Sequence, residues 1–188
     1  SGQCTVTPVP LFWESFYKAG DDLLKELIRQ LVIEGKYSPI EKRLKLAGKN
    51  PVDLMVDFLG KDEGVSFRNR QLRSDFNLQI SVPLVLYFLE LLKQNKIESQ
   101  VLSYSDIYVG NSPTQNVLNH FRQHFGFDFE SLQWQYERSV VSSIVEKTFD
   151  SLIGKISSLF SFYDCDIVLL SGRPTSLKAI TDLFLKYY

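Results

Sequence analysis

Histidine, cysteine and methionine are nearly missing from this chain, with two, two and one among 188 residues. His120, His124, Cys4 and Cys165 are too few and too scattered to assemble a His/Cys metal cluster. Two cysteines also exclude a disulfide framework. Cys165, at the entry to an apolar run, reads as a small buried hydrophobe, and a reducing compartment is preferred. An excess of one charge is missing too: 21 basic and 22 acidic residues are interspersed, for a formal net charge of −1. No patch or tail is concentrated enough to steer nucleic acid or an anionic membrane. The longest apolar run, VPLVLYFLELL (82–92), carries Glu90 and falls short of the ~20 residues a bilayer span needs. Neither a nucleic-acid partner nor membrane insertion is therefore expected. Internal repeats, low-complexity tracts and a signal-peptide core are all missing. Ser1-Gly2 stands where an initiating Met would, and reads as the scar of a cleaved tag on a piece of something longer.

What the chain does have is apolar mass. It is 44% hydrophobic, with 14 Phe and 9 Tyr, ample for a folded core. The length fits one domain, or a medium domain with an insertion. The opening VTPVPLFWESFYKAG has poor periodicity, and Pro8 and Pro10 keep it extended, as an edge strand or packed arm. From Asp21 the pattern is helical. DDLLKELIRQLVIEG sets Leu23, Leu24, Leu27, Ile28 and Leu31 on one face, with acids in the first turn and Gly35 beyond the last. SPIE (38–41) and NPVD (50–53) each place a cap, then proline, then an acid, and so start helices; Gly60 stops the second. A polar loop leads to a helix near Arg68. Ser81-Val82-Pro83 ends that helix and begins another running to about Asn95. QVLSYSDIYVG offers a strand. SPTQ (112–115) repeats the capping pattern, for a helix ending at Gly126. From Asp128, Leu132, Tyr136, Val140, Ile144, Phe149, Leu152, Ile156 and Phe160 recur at helical steps, a run of about 30 residues or roughly 45 Å. Gly154 interrupts it.

DIVLL (166–170) has the unbroken apolar character of a strand buried on both faces of a parallel sheet. Ser171-Gly172-Arg173-Pro174 follows, and TSLKAITDLFLKYY returns to helical spacing. Ligands of α/β folds sit at the carboxyl ends of such strands. Gly172 would let a ligand approach the backbone, and Arg173 could reach a phosphate or stack on a ring. The plainer reading is a strand-to-helix turn in which glycine relieves strain and Arg173 is solvated.

DIVLLSGRPTSLKAITDLF resembles the adenosine-contacting segment of the actin/Hsp70-type ATPase fold, and YDCDIVLLSGRPTSL is similar to a stretch of the bacterial SrfB-type virulence factors, long proteins related to that fold. YKAGDDLLKELI (17–28) resembles the segment where those ATPases open a helix with Gly-Gly-Asp/Glu. The two resemblances come in the expected order and cover about a fifth of the chain. The resemblance implies an α/β but predominantly helical fold, a partial actin/Hsp70-like lobe with a small sheet and several helices. Residues 1–188 would form one domain or a fragment of the lobe. Within it, 36–126 would be a helical subdomain or insertion, and 128–188 a long helix, strand, turn and helix. It implies adenosine-side contacts at Gly20, Asp21, Ser171, Gly172, Arg173 and Thr175. Ala19 and Ser171 each stand where the commoner pattern has glycine. The cofactor it implies is ATP or ADP with Mg²⁺, in a full-length parent only, with none tightly bound to this chain. No DxGxxxT-like phosphate hairpin occurs here, and phosphoryl transfer needs metal and donors around the γ-phosphate. The chain alone is thus expected not to hydrolyse ATP, whatever the parent does. Its expected partners are the remaining lobe of the same polypeptide and a protein not identified by the sequence, in the cytoplasm of a bacterium, with the location left open if the parent is an effector. The alternative is a helical protein-interaction domain with no nucleotide function.

Other chemistry is weaker. His120 and His124 share a helix face without an HExxH pattern. Asp53 and Asp57 share another, with Asp53 explained as a cap residue. Ser139, Ser142 and Ser143 lie within a helix, Cys165 has no evident base, and Arg68, Arg70 and Arg73 are balanced by nearby acids.

Overall fold

The computed structural model describes Val9, residues 20–50 and residues 66–187. The opening arm, Cys4, the NPVD helix start, Asp53 and Asp57 lie outside the described residues, as does the side chain of Arg173.

Helix α1 (Gly20–Leu27) begins with Asp21 and Asp22 in its first turn, where they complement the helix dipole. It widens into a π segment, Ile28–Ile33, and ends where Gly35 takes φ +107°. Ser38 starts α2 (Pro39–Leu46) as the SPIE pattern predicts. Its hydroxyl accepts from Glu41 N at 3.1 Å and donates to the Val32 carbonyl at 2.6 Å. The Glu41 carboxylate turns back to Gly35 N, so two free amides are satisfied together.

Helix α3 (Phe67–Phe76), capped by Ser66, does not stop before Pro83. It continues through a π turn, Asn77–Ser81, into α4 (Val82–Gln94). An α-helical Pro83 would press its ring on the carbonyl four residues earlier. Widening the preceding turn, with Val82 N donating to Asn77 O, relieves that clash without ending the helix. The Phe67–Gln94 rod of 28 residues is long and apolar enough to cross a membrane by length and composition. In this fold its Phe76, Ile80, Leu84, Val85, Phe88 and Leu91 are buried in the core.

Strand β1 (Ser99–Leu102) pairs antiparallel with β2 (Trp134–Glu137), with Leu102 opposite Trp134 and Ser99 opposite Glu137. Between them lie α5 (Tyr104–Ile107) and α6 (Gln115–Phe125). The α6 helix starts after Thr114 rather than at Ser112, and ends at Gly126. The long helix expected from Asp128 starts ten residues late. LQWQYE instead alternates, with Leu132, Trp134 and Tyr136 buried and the residues between them more exposed. That is the two-residue period of a strand. Helix α7 then runs Arg138–Phe162.

Arg138 fixes the junction. Its guanidinium reaches the Ile97 carbonyl at 2.9 Å and the Asn95 side chain, and its backbone N bonds Glu98 O. α7 is the spine, packed against α1, α4 and the final helix α8 (Lys178–Tyr187). The phenylalanine-rich composition is spent on one cluster: Phe121 meets Phe76, Phe125, Phe127 and Phe129, and Phe129 meets Trp134, Tyr104 and Tyr108. Among the described residues the fold is therefore predominantly helical with one small two-stranded sheet.

The DIVLL run differs from its expected form. Residues 166–170 join no strand among the described residues. Ile167 and Leu169 are 79% and 90% exposed, so this is not a strand buried on both faces.

Candidate functional site

The two segments that resemble the ATPase motifs come together. A half-open cleft of about 420 Å³ lies between the N-terminal turns of α1, the outer face of α4 and the turn before α8. Gly20, Asp21, Leu23 and Leu24 form the first wall, and Leu86, Leu89, Glu90 and Lys93 the second. Pro174, Ser176 and Leu177 form the third. The size falls in the range of small-molecule clefts, roughly 300–1,000 Å³.

Each wall follows from local sequence. Positions 20, 21, 23 and 24 share the starting face of α1, whose inner residues Leu23 and Leu27 enter the core. Along α4, Leu86, Leu89, Glu90 and Lys93 recur at i, i+3, i+4 and i+7, one stripe of a helix whose other stripe is buried. The third wall is a short 3₁₀ turn, Arg173–Ser176. Thr175 N and Oγ1 both donate to the Gly172 carbonyl, at 3.3 and 2.7 Å, and Leu177 N donates to Pro174 O at 3.0 Å.

The lining is chemically divided. Leucines and Pro174 supply an apolar floor, while Asp21, Glu90, Lys93 and Ser176 supply polar groups. Glu90 and Lys93 are 4.0 Å apart with about half of each side chain exposed, so their mutual attraction is small. Among the described residues, two carboxylates against one ammonium do not favour a polyanion. They do suit hydroxyl donors, since a carboxylate accepts strong charge-assisted hydrogen bonds. A flat, largely apolar group with hydroxyls at one edge matches this lining.

Of the six expected contact residues, Gly20 and Asp21 line the cleft. Among the described residues, a Cβ at Gly20 would meet nothing within 4 Å. Ser171 and Gly172 are exposed, and Arg173 opens the turn. Thr175 spends its hydroxyl on Gly172. The residues of this turn that line the cleft are Pro174, Ser176 and Leu177 instead. Glu90, noted only as a charge within an apolar run, and Lys93 were not site candidates in the sequence. Their signal was available as charged residues interrupting an otherwise apolar helix at the same spacing as Leu86 and Leu89.

The other candidates stay apart. His120 and His124 stack at 5.9 Å on α6, Ser142 bonds Glu146 at 2.9 Å, and Arg68 and Arg70 are exposed. Among the described residues, no group of three or more His, Cys, Asp and Glu side chains gathers as a metal site.

Comparison with known proteins adds one finding. A family model described as Virulence factor SrfB matches residues 2–188. No curated protein and no solved structure matches the chain.

Proposed function

The chain belongs to the SrfB virulence-factor family, and from that membership and the cleft together we propose that it is the helical, adenosine-facing part of an actin/Hsp70-like nucleotide-binding lobe. One observation carries this reading: the segments at 17–28 and 162–180, over 130 residues apart in the chain, supply two walls of one cleft. The adenine ring would lie on Leu24, Leu89 and Pro174. Glu90 would accept from the ribose hydroxyls, with Lys93 one turn further along α4.

The donors present fit the nucleoside half of ATP or ADP better than its phosphates and Mg²⁺. Among the described residues of the lining, Lys93 is the cation, and Asp21 and Glu90 are the acids. Bound nucleotide would supply the reactive phosphate. What this chain supplies is an apolar bed that excludes water from one face of the base and a carboxylate that orients the sugar. Phosphate and metal contacts belong to the remaining lobe of the same polypeptide, which on this reading meets the exposed run at 166–170. The chain alone then does not turn over ATP. The same reading puts the parent in the bacterial cytoplasm.

The test is amide shift mapping by NMR with adenosine, ADP and 2′,3′-dideoxyadenosine at millimolar concentration. Asp21, Leu24, Leu89, Glu90 and Leu177 are expected to shift together with adenosine and ADP. Glu90→Gln should weaken adenosine and leave dideoxyadenosine unchanged. Shifts scattered away from the cleft, or none, would refute the reading.

A second reading, a helical protein-interaction domain without nucleotide, is favoured by the exposure of Phe162, Ile167 and Leu169. It would be left standing by a silent nucleoside titration.

A further inference from the structure

Gly172 and Thr175 sit in the segment that carries the resemblance, yet neither lines the cleft. What they do instead is visible in the backbone. Gly172 has φ +103° and ψ 164°, a region essentially closed to L-residues with a side chain. Space is not the reason for glycine, because among the described residues a Cβ there would meet only Pro174 Cδ, at an ordinary 3.9 Å. The conformation is. It turns the Gly172 carbonyl so that Thr175 can hold it twice, through N at 3.3 Å and Oγ1 at 2.7 Å. That closure aims Pro174, Ser176 and Leu177 at α1 and α4. The next bonds, Leu177 N to Pro174 O and Ile180 N to Leu177 O, each 3.0 Å, pass the geometry directly into α8.

We infer that Gly172 and Thr175 are positioning residues: a glycine-only backbone angle and a threonine–carbonyl clasp set the third wall of the cleft without touching what binds there. The consequence for ligand rests on the nucleoside reading above; the consequence for the wall does not. In binding terms, a wall held in place beforehand spares the ligand the entropy of ordering it.

The experiment uses four variants of the whole chain. Thr175→Val removes the hydroxyl at nearly constant shape, and Thr175→Ser keeps it. Gly172→Ala forbids the angle. D-alanine at 172 permits it, because the mirror conformation of an L-residue is ordinary extended backbone. The last is accessible by ligating a synthetic 165–188 peptide at Cys165. Adenosine affinity is expected to fall about three- to tenfold in Thr175→Val, the share of one hydrogen bond, and at least as far in Gly172→Ala. Thr175→Ser and the D-alanine chain should bind as the parent does. Without ligand, hydrogen exchange at the Thr175 and Leu177 amides should speed up in the first pair of variants and not in the second. Unchanged exchange in Thr175→Val and Gly172→Ala would overturn the inference, whatever adenosine does. Normal exchange behaviour as expected, with no adenosine binding to the parent chain, would sustain the wall and sink only the nucleoside.

Discussion

Two buried tyrosines should respond in opposite directions to the same substitution. Tyr108 and Tyr136 are 3% and 0% exposed, and both contribute rings to the aromatic core. The Tyr108 hydroxyl donates to the Ile80 carbonyl at 2.9 Å, within the π turn that precedes Pro83. Tyr136 OH has no hydrogen-bond partner among the described residues. In Tyr108→Phe the ring still packs, but a buried carbonyl loses its donor, at a cost of about 1–2 kcal/mol. For a chain of this size that lowers Tm by roughly 3–6 °C. In Tyr136→Phe an unbonded buried hydroxyl disappears, so stability should hold or rise by up to ~1 kcal/mol. Urea unfolding of both variants beside the parent gives the two differences directly. Equal losses would show that the hydrogen bonding of the hydroxyl does not decide the outcome.

Three further perturbations follow from the geometry. Asp164 ends α7 with φ +50° and places a negative charge at a helix C-terminus; Asp164→Gly should gain about 1 kcal/mol in thermal or urea unfolding. Ser38 is fully buried and both caps α2 and bonds the Val32 carbonyl, so Ser38→Ala should lose about 2 kcal/mol, and a loss under half of that would count against the double role. Burial, with Tyr104 beside it, pushes the Tyr108 phenol well above the usual tyrosine range. The unfolded chain therefore releases that proton first as pH rises. The stabilisation is complete below the ordinary phenol pKa near 10 and is lost above it, so Tyr108→Phe should flatten the alkaline fall in stability.

The parts of the fold visible in the sequence were those decided locally. A serine followed by proline and an acid starts a helix because the hydroxyl and carboxylate satisfy nearby free amides, and Ser38 and Glu41 do so, three and six residues away. Gly35 and Gly126 end helices because they take positive φ. Pro83 misled because the rule against proline in a helix assumes a regular ladder upstream. The π turn at Asn77–Ser81 removes that assumption, and one of its hydrogen bonds is distant, from the Tyr108 hydroxyl 28 residues along the chain. Residues 132–137 misled differently. Leu132, Tyr136 and Val140 fit a helical step of four, but every multiple of four is also a multiple of two. Only Trp134, between them and buried, distinguishes the strand.

The stretch from 162 to 177 shows where a local reading has to fail. Its apolar run, DIVLL, β-branched and leucine-rich, was read as a buried strand, yet residues 166–170 take no regular secondary structure among the described residues. A strand, however, is a relation between two chains of peptide groups, and composition names one of them only. The glycine turn has the reverse character. Its angle is a property of Gly172 alone and its closure needs Thr175, three residues away, so the sequence contained all of it. The sequence reading took a glycine near a ligand as a point of contact. Conformational necessity at φ +103° accounts for Gly172 before any ligand is considered, and the residues of this turn that line the cleft are Pro174, Ser176 and Leu177. Glycine's two uses, room and angle, separate by one measurement: whether a Cβ built on the backbone would collide. At Gly172 it would not, and at Gly35 it would, 2.8 Å from the Gln30 carbonyl. The first glycine therefore aims a wall, while the second also lets two turns of backbone close on each other.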